Sequence, residues 1–457
     1  MAVENFSTMI ENTVQQNYIY REVEEGLDSI QGYRQIAIQE EFPNGIGDTV
    51  TRTRKSRLAI SQTPTPISPQ SSLSLDDGLS PMTYSIEQYT MTLYDYAAAT
   101  GDLDVVQNLV GSFDQLLAIS RNSGVYFAQL RERLARNALF NAYLGGNTRV
   151  RVDLGTSSTT TCHVDDIRGF QTLLVNGVQT PVSATNSLNV VESGSVSQTL
   201  VVTGVAADGS NASVSPGGVS GVLTFSTATA PVHGDSLVAV NAATILRPNA
   251  KSTTAALGAG DIFTTQLILD ALVQMEDNGV PPLPDGTYPL FCPPKTRREL
   301  MADQDFKTWY AGREQSSVWK KGYILKDLGV TFVPLTEVQI QSQSSHTGNS
   351  QTDAVAQNVY RPIMVGAEAL IEGIFAGMQS YVRNVAGDAK SAVDVVLVDN
   401  IAQILRRPID RMGRWWSFAG DWIGGYAVPT DATASPSIAL PTASNAQFKR
   451  AVVFEHV

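Results

Sequence analysis

Residues 102–144 read DLDVVQNLVGSFDQLLAISRNSGVYFAQLRERLARNALFNAYL, and the period of their apolar side chains decides the fold. Leu109, Phe113, Leu116 and Leu117, then Phe127, Leu130, Leu134 and Ala138, recur at the spacing that lines one face of an α-helix. Asp102 or Thr100 can cap the start. Gly145-Gly146 marks the stop, because glycine takes the left-handed conformation that ends a helix at no steric cost. Gly111 and Gly124 are places where it can bend. At ~1.5 Å per residue the whole run would span about 60 Å. Leu109, Phe113, Leu116, Phe127, Leu130 and Leu134 are its expected core face. Arg131, Arg133 and Arg136, with Glu132 beside them, are expected on its polar face.

Two segments precede this helix. Residues 1–44 form a polar lead in which Met9, Ile10 and Val14 sit at helical spacing, and Ile36 and Ile38 suggest a strand before Phe42-Pro43. The lead has too little apolar surface to fold alone and reads as an arm lying on another surface. Residues 45–96 carry two alternating stretches, TVTRTRKSRLAI and TYSIEQYTMTLYDYAA, separated by a tip containing Pro64, Pro66, Pro69 and Pro81. The pattern predicts an extended β-hairpin. A two-stranded ribbon has no core of its own and needs a partner surface.

The character changes after the helix. Across residues 150–256, short Val/Thr/Leu strands are predicted near 171–175, 188–191, 198–206, 219–226 and 236–246. Asn176-Gly177, Asp208-Gly209 and Pro216-Gly217-Gly218 supply turns between them. Charges nearly vanish here. The expectation is a small sandwich or barrel, inserted into a larger fold because helices flank it. Residues 257–457 return to mixed α/β: a helix from Asp261 to Asp277, then TYPLFCPPKTRRELMADQDFKTWY as strand, Pro-Pro stop and helix, then strands at VTFVPL, RPIMVGAEAL, AVDVVLVDN and FKRAVVFEHV. The fold class is α+β.

The composition narrows the function. Charged residues make up 17% of the chain, and the formal net charge is −12. A protein that grips nucleic acid concentrates Lys and Arg, so this balance opposes tight DNA binding. An acidic chain suits a container for a polyanion, and equally it can serve solubility alone. Cys162 and Cys292 are far apart with no metal-ligand spacing. His163, Asp165 and Asp166 beside Cys162 lack a second ligand cluster and read as a surface turn; Asp76-Asp77 likewise read as a solvated loop. No phosphate loop, nucleophile elbow or metalloprotease helix is present, so no catalytic, cofactor or metal site is expected. The first residues have no basic and apolar run of a signal peptide, and no apolar segment reaches the ~18 residues that would span a membrane.

Two groups are candidates for contacts between subunits. Arg52, Arg54, Lys55 and Arg57 lie on the first hairpin strand. They form a solvated face, a contact with acidic residues of a neighbour, or a nucleic-acid contact, the last lacking interleaved aromatics. Pro64 and Pro66 stiffen the tip. Trp415, Trp416 and Trp422 are core or interface filler, since aromatics concentrate at the buried centres of interfaces.

The order arm, hairpin, long helix, β insertion and α/β part resembles the major capsid proteins of tailed double-stranded DNA phages of the Hong Kong 97 type. It is closest in pattern to the unprocessed branch that includes the coliphage N-four-like and related podophage capsid proteins. The strings that carry the resemblance are IGDTVTRTRKSRLAISQTPTPIS, LSPMTYSIEQYTMTLYDYAAATGDL, RERLARNALFNAYLGGN, GTYPLFCPPKTRRELMADQDFKTWY and GYILKDLGVTFVPLTE. They cover most of residues 40–145 and 260–400.

The resemblance implies an N-terminal arm at 1–44, an extended loop at 45–96, and a peripheral domain with its spine helix at 97–149. An insertion domain follows at 150–256, then an axial domain with returning peripheral strands at 257–457. It implies self-assembly into hexamers and pentamers of an icosahedral virion shell, built in the bacterial cytoplasm. A separate scaffolding protein, a portal protein and a decoration or cement protein are the implied partners, with packaged DNA touched only non-specifically. Some relatives join subunits through a loop Lys and an Asn. Lys55 is the hairpin's sole Lys and sits at its base, which departs from that pattern. The rival readings are a surface-binding, adhesin-like protein that uses the β module, and a hydrolase with unrecognised catalytic residues.

Overall fold

The computed structural model of the chain describes residues 23–24, 32–42, 47–55, 86–99, 103–104, 115–151, 159–175, 178–208, 214–215, 218–240, 242–254, 256–311, 326–327, 329–342, 358–378, 380, 393–406, 415–429 and 449–457. Its spine is helix α1, Gln115–Leu144. At ~1.5 Å per residue, α1 is about 45 Å long. The expected start at Asp102 is overturned. Leu103–Asp104 is instead a short strand paired with Trp416 and Trp415. The backbone there finds a strand edge, and that pairing overrides the local helical period. At the other end Gly146 has φ +79°, the left-handed stop that the sequence announced.

Helix α1 joins two sheets. Its first half buries Phe127 and Ala128 against Val398, Ile401, Leu405, Phe418 and Trp422 of a seven-stranded sheet. The long strand Trp415–Ala427 organises that sheet. It pairs with Ile401–Arg406, Ile371–Phe375, Tyr94–Ala99 and Leu103–Asp104. Ile38–Phe42 adds parallel to Ile371–Phe375, and Val393–Val398 closes on Ile401–Arg406. Asp399 and Asn400 between those last two strands have φ +46° and +62°, the geometry of a tight hairpin turn.

The second half of α1 packs Ala135, Leu139, Phe140 and Tyr143 on Phe291, Ile363, Val365 and Val453. These belong to a mixed six-stranded sheet in the order Ile245–Leu246, Ala451–Phe454, Ile363–Val365, Tyr288–Cys292, Val330–Pro334 and Lys326–Asp327. Helices α2 (Thr265–Asp277), α3 (Pro294–Ala302) and α4 (Gln304–Ala311) follow. Their apolar residues meet Leu290 and Cys292, which alternate with Phe291 and so face the opposite side of the sheet from α1.

The β-rich region after α1 forms a closed sheet. It runs from Asn147 to Ala239 as six antiparallel strands: Asn147–Arg149, Ser236–Ala239, Leu188–Ser193, Gln198–Ala207, Gly221–Thr229 and Thr159–Val164. The last strand returns to the first through a Val150↔Val164 bridge. The hydrogen bonds Arg151 N to His163 O (2.9 Å) and Asp165 N to Arg149 O (3.0 Å) complete the closure, which makes a barrel. Its core is its own: Val150, Cys162, Val164, Phe170, Val190, Val202, Leu223, Phe225 and Leu237 are all buried. Ile245–Leu246, expected in the module's last strand, belongs to the six-stranded sheet. Gly169 (φ +83°) lets the barrel backbone approach the end of α1, where Gly146 N donates to Arg168 O at 2.8 Å; a Cβ on Gly169 would lie 2.0 Å from Gly146 N.

Candidate assembly surfaces

The hairpin is shorter than read, because Tyr94–Ala99, the end of its expected second strand, pairs with Trp415–Ala427 in the seven-stranded sheet. Thr49–Lys55 and Ile86–Thr92 pair antiparallel from Thr49↔Thr92 to Lys55↔Ile86. Its base is anchored: Met91 and Leu93 cluster with Phe42, Ile371 and Ala427. Leu93 N donates to Asp48 O at 2.8 Å. Above the base the situation reverses. Thr51, Arg52 and Thr53 are all exposed, so both faces of this strand are open. Arg52 pairs with Glu40 of the Ile38–Phe42 strand at 3.2 Å, with its side chain still 45% exposed. Arg54 and Lys55 are placed in the same strand, opposite Glu87 and Ile86. Arg57, Pro64 and Pro66 lie outside the described residues, as do Met9, Ile10, Val14, Asp76, Asp77, Leu109 and Phe113; Leu116 lies in α1.

The three tryptophans separate. Trp415 is 48% exposed, and Trp416 is partly buried against the seven-stranded sheet's core. Trp422 is corrected from contact candidate to core. It is 1% exposed and stacks on Tyr96 at 5.5 Å. Leu130 and Leu134 are partly buried against the same core that encloses Phe127.

The expected polar face of α1 is also corrected. Arg133 is exposed and pairs with Glu337, but Arg131 and Glu132 are buried. Glu132 accepts backbone N–H bonds from Gly32 (2.7 Å), Tyr33 (3.0 Å) and Arg34 (3.4 Å), which fixes the arm to the spine. Burial raises the Glu132 carboxyl despite these donors. Arg131 donates to Asp399 Oδ2 at 2.6 Å and lies 5.1 Å over the Trp422 ring. Arg34 bridges Glu372 and Asp399. Burial would raise the Asp399 carboxyl, but Arg34 and Arg131 hold it below its usual range. The period itself held this signal: Arg131 is four residues beyond Phe127, on the apolar stripe.

Asp165 and Asp166 are not a solvated turn. Both are buried, paired with Arg149 (2.8 Å) and Arg168 (2.8 Å) at the root of the barrel. Cys162 is in a strand, and burial, with Glu192 and Asp235 nearby, pushes its thiol up to about 12. A polar cleft between barrel and six-stranded sheet is lined by Arg149, Asp165, Arg247, Arg361 and Glu455. Its charges are internally matched, for Glu455 meets Arg247 at 2.7 Å and Arg361 at 2.8 Å. Among the described residues no group of three or more His, Cys, Asp and Glu could hold a metal, and no helix is long and apolar enough to cross a membrane.

No family model and no curated protein matches the chain. Among solved structures it is similar to the capsid of the cyanophage Pam1, with 11% identity over 92% of this chain and 88% of that one and a TM-score of 0.49. It is similar to the capsid of Ralstonia phage GP4, with 13% identity over 92% and 87% and a TM-score of 0.45. Similarity to the capsid of the cyanophage P-SCSP1u is 10% identity over 93% and 88%, with a TM-score of 0.45.

Proposed function

We propose that this chain is the major capsid protein of a tailed double-stranded DNA phage, with the Hong Kong 97-type fold, and that its work is mechanical rather than catalytic. The observation that carries the reading is the hairpin. It is rooted in the chain's own core at Met91 and Leu93, yet its strand is open on both faces at Thr51, Arg52 and Thr53. A ribbon so built has its packing surface on another molecule. The spine helix joining two sheets supplies the rigid body from which it projects. On this reading the six-stranded sheet and its helices are the axial domain, which gathers copies into hexamers and pentamers. The seven-stranded sheet is the peripheral domain, the hairpin is the extended loop, and the barrel is the insertion domain. Many weak contacts become strong in a closed shell, because each copy is held at several points at once. Scaffolding, portal and decoration proteins are the partners of such a subunit, and the virion is its location.

Electron microscopy of the purified full-length chain tests this. Closed shells or capsomer rings are the expected result. A monodisperse monomer at all protein concentrations overturns it.

A further inference from the structure

Two flanks of one sheet face carry opposite character. Helix α2 covers the strands Ala451–Phe454 and Ile245–Leu246, and α3 covers Tyr288–Cys292. The strand Ile363–Val365 separates those positions in the sheet. The inner face of α2 is core: Leu267, Ile268, Ala271 and Met275 are buried. Its outer face is apolar and acidic together. Leu269 is 39% exposed and Val273 57%, with Ile262 just ahead of the helix at 37%. Asp270, Glu276 and Asp277 are exposed around them, and the helix contains no Lys or Arg. Helix α3 carries Lys295, Arg297 and Arg298, with Arg298 exposed, and its acid Glu299 is buried.

From this we infer that the outer face of α2 docks against α3 of a second copy of the chain, in a head-to-tail contact that closes subunits into a ring. The contact rests on the shell reading and says where its rings are sealed. Charge complementarity selects the partner. An α2-to-α2 contact would set Asp270, Glu276 and Asp277 against their own copies. The basic flank supplies the opposite charge, and the aliphatic stems of Arg297 and Arg298 can cover Leu269 and Val273 while their heads reach the acids. Since the two faces differ and sit on opposite flanks, the contact is heterologous. Such a contact repeats around an axis and closes a ring where the rotation allows.

The test uses the full-length chain and reads ring and shell formation by electron microscopy and sedimentation at low ionic strength. Wild type is compared with D270R/E276R, with R297E/R298E, and with all four substitutions together. Each pair alone should abolish rings. The combination should restore them, because the charges are then exchanged between the faces. Should a reversal unfold the chain by circular dichroism, Val273→Asp carries the same test, and rings should be lost there as well. Rings from D270R/E276R or from Val273→Asp at wild-type yield overturn the inference while the shell reading stands. So does a combination that fails to restore what each pair abolished. A wild-type chain that never assembles overturns the shell reading and this contact with it.

Discussion

The barrel of residues 147–239 and the hairpin of residues 49–55 and 86–92 are both antiparallel β-structure, and they solve the problem of strand edges in opposite ways. The barrel returns its last strand to its first at Val150↔Val164, so its six-stranded sheet closes on itself. Alternate residues of its strands point inward, as the buried series Leu188, Val190 and Glu192 shows. Among the described residues the hairpin has two strands, and Thr51, Arg52 and Thr53 above its base are exposed. Closure removes free strand edges from one region, and on the proposed function the other finds its packing surface on a second copy. Their ion pairs differ in the same sense. Arg149–Asp165 at the barrel's root has side chains 3% and 5% exposed, whereas Arg52–Glu40 at the hairpin has 45% and 27%.

The largest expected effect breaks the hairpin. Deleting residues 62–80 should leave the melting temperature of the subunit unchanged and eliminate shell formation. Normal shells by electron microscopy would mean that the ribbon is dispensable and the contrast with the barrel is empty.

The buried pair comes next. Asp165→Ala removes the carboxylate 2.8 Å from the buried Arg149 guanidinium and should cost about 3–5 kcal/mol, since taking one member out of a buried ion pair is strongly destabilising. Denaturant unfolding measures it. Phe225→Ala, which empties the barrel core, should cost about 3–5 kcal/mol. If the barrel is independent, hydrogen exchange should quicken in residues 147–239 and stay unchanged at the hairpin base. Expressed alone, residues 147–239 should give a β-rich circular dichroism spectrum and a cooperative melt.

Acid probes the six-stranded sheet on which the barrel stands. Burial alone would raise the Glu455 carboxyl, but Arg247 and Arg361 hold it down at about 2. An unfolded Glu titrates near ~4.3. The folded value is therefore the lower one, so this group's contribution is full above the unfolded value and is lost as pH falls toward 2. The loss should be on the order of 3 kcal/mol. Glu455→Gln should flatten that part of the stability profile; an unchanged profile would mean that the guanidinium pair does not set it.

The smallest effect returns to the hairpin. Arg52→Ala should change subunit stability by less than about 1 kcal/mol, because an exposed pair gains little over water. Any effect on assembly should shrink as salt rises, since exposed charges are screened beyond ~8–10 Å. An effect on subunit stability as large as that of Asp165→Ala would show that the hairpin pair is not solvated.

Local pattern was enough for much of this molecule. The sequence by itself determined the body of the spine helix and its glycine stop, the hairpin strands Thr49–Lys55 and Ile86–Thr92, the run of short strands after the helix, and the end of the next helix at Asp277. All of these rest on periods of 3.6 or 2 residues and on turn chemistry, which neighbours along the chain decide. Only the tertiary structure decided the rest. Leu103–Asp104 left the helix because the distant strand end at Trp415-Trp416 offered backbone partners. Arg131, Glu132 and Asp165 look like surface in sequence, and they are buried because Asp399, the backbone of Gly32 to Arg34 and Arg149 come to them from other segments, whereas the buried Asp166 is met by Arg168 two residues along the chain. Barrel closure brings residue 150 to residue 164, and Trp422 sinks into a core assembled from segments far apart in the chain. A charged or aromatic side chain is buried or exposed according to what packs against it, and burial of a charge is stable only with a partner in place. That partner is fixed by the fold and not by the chain's local order.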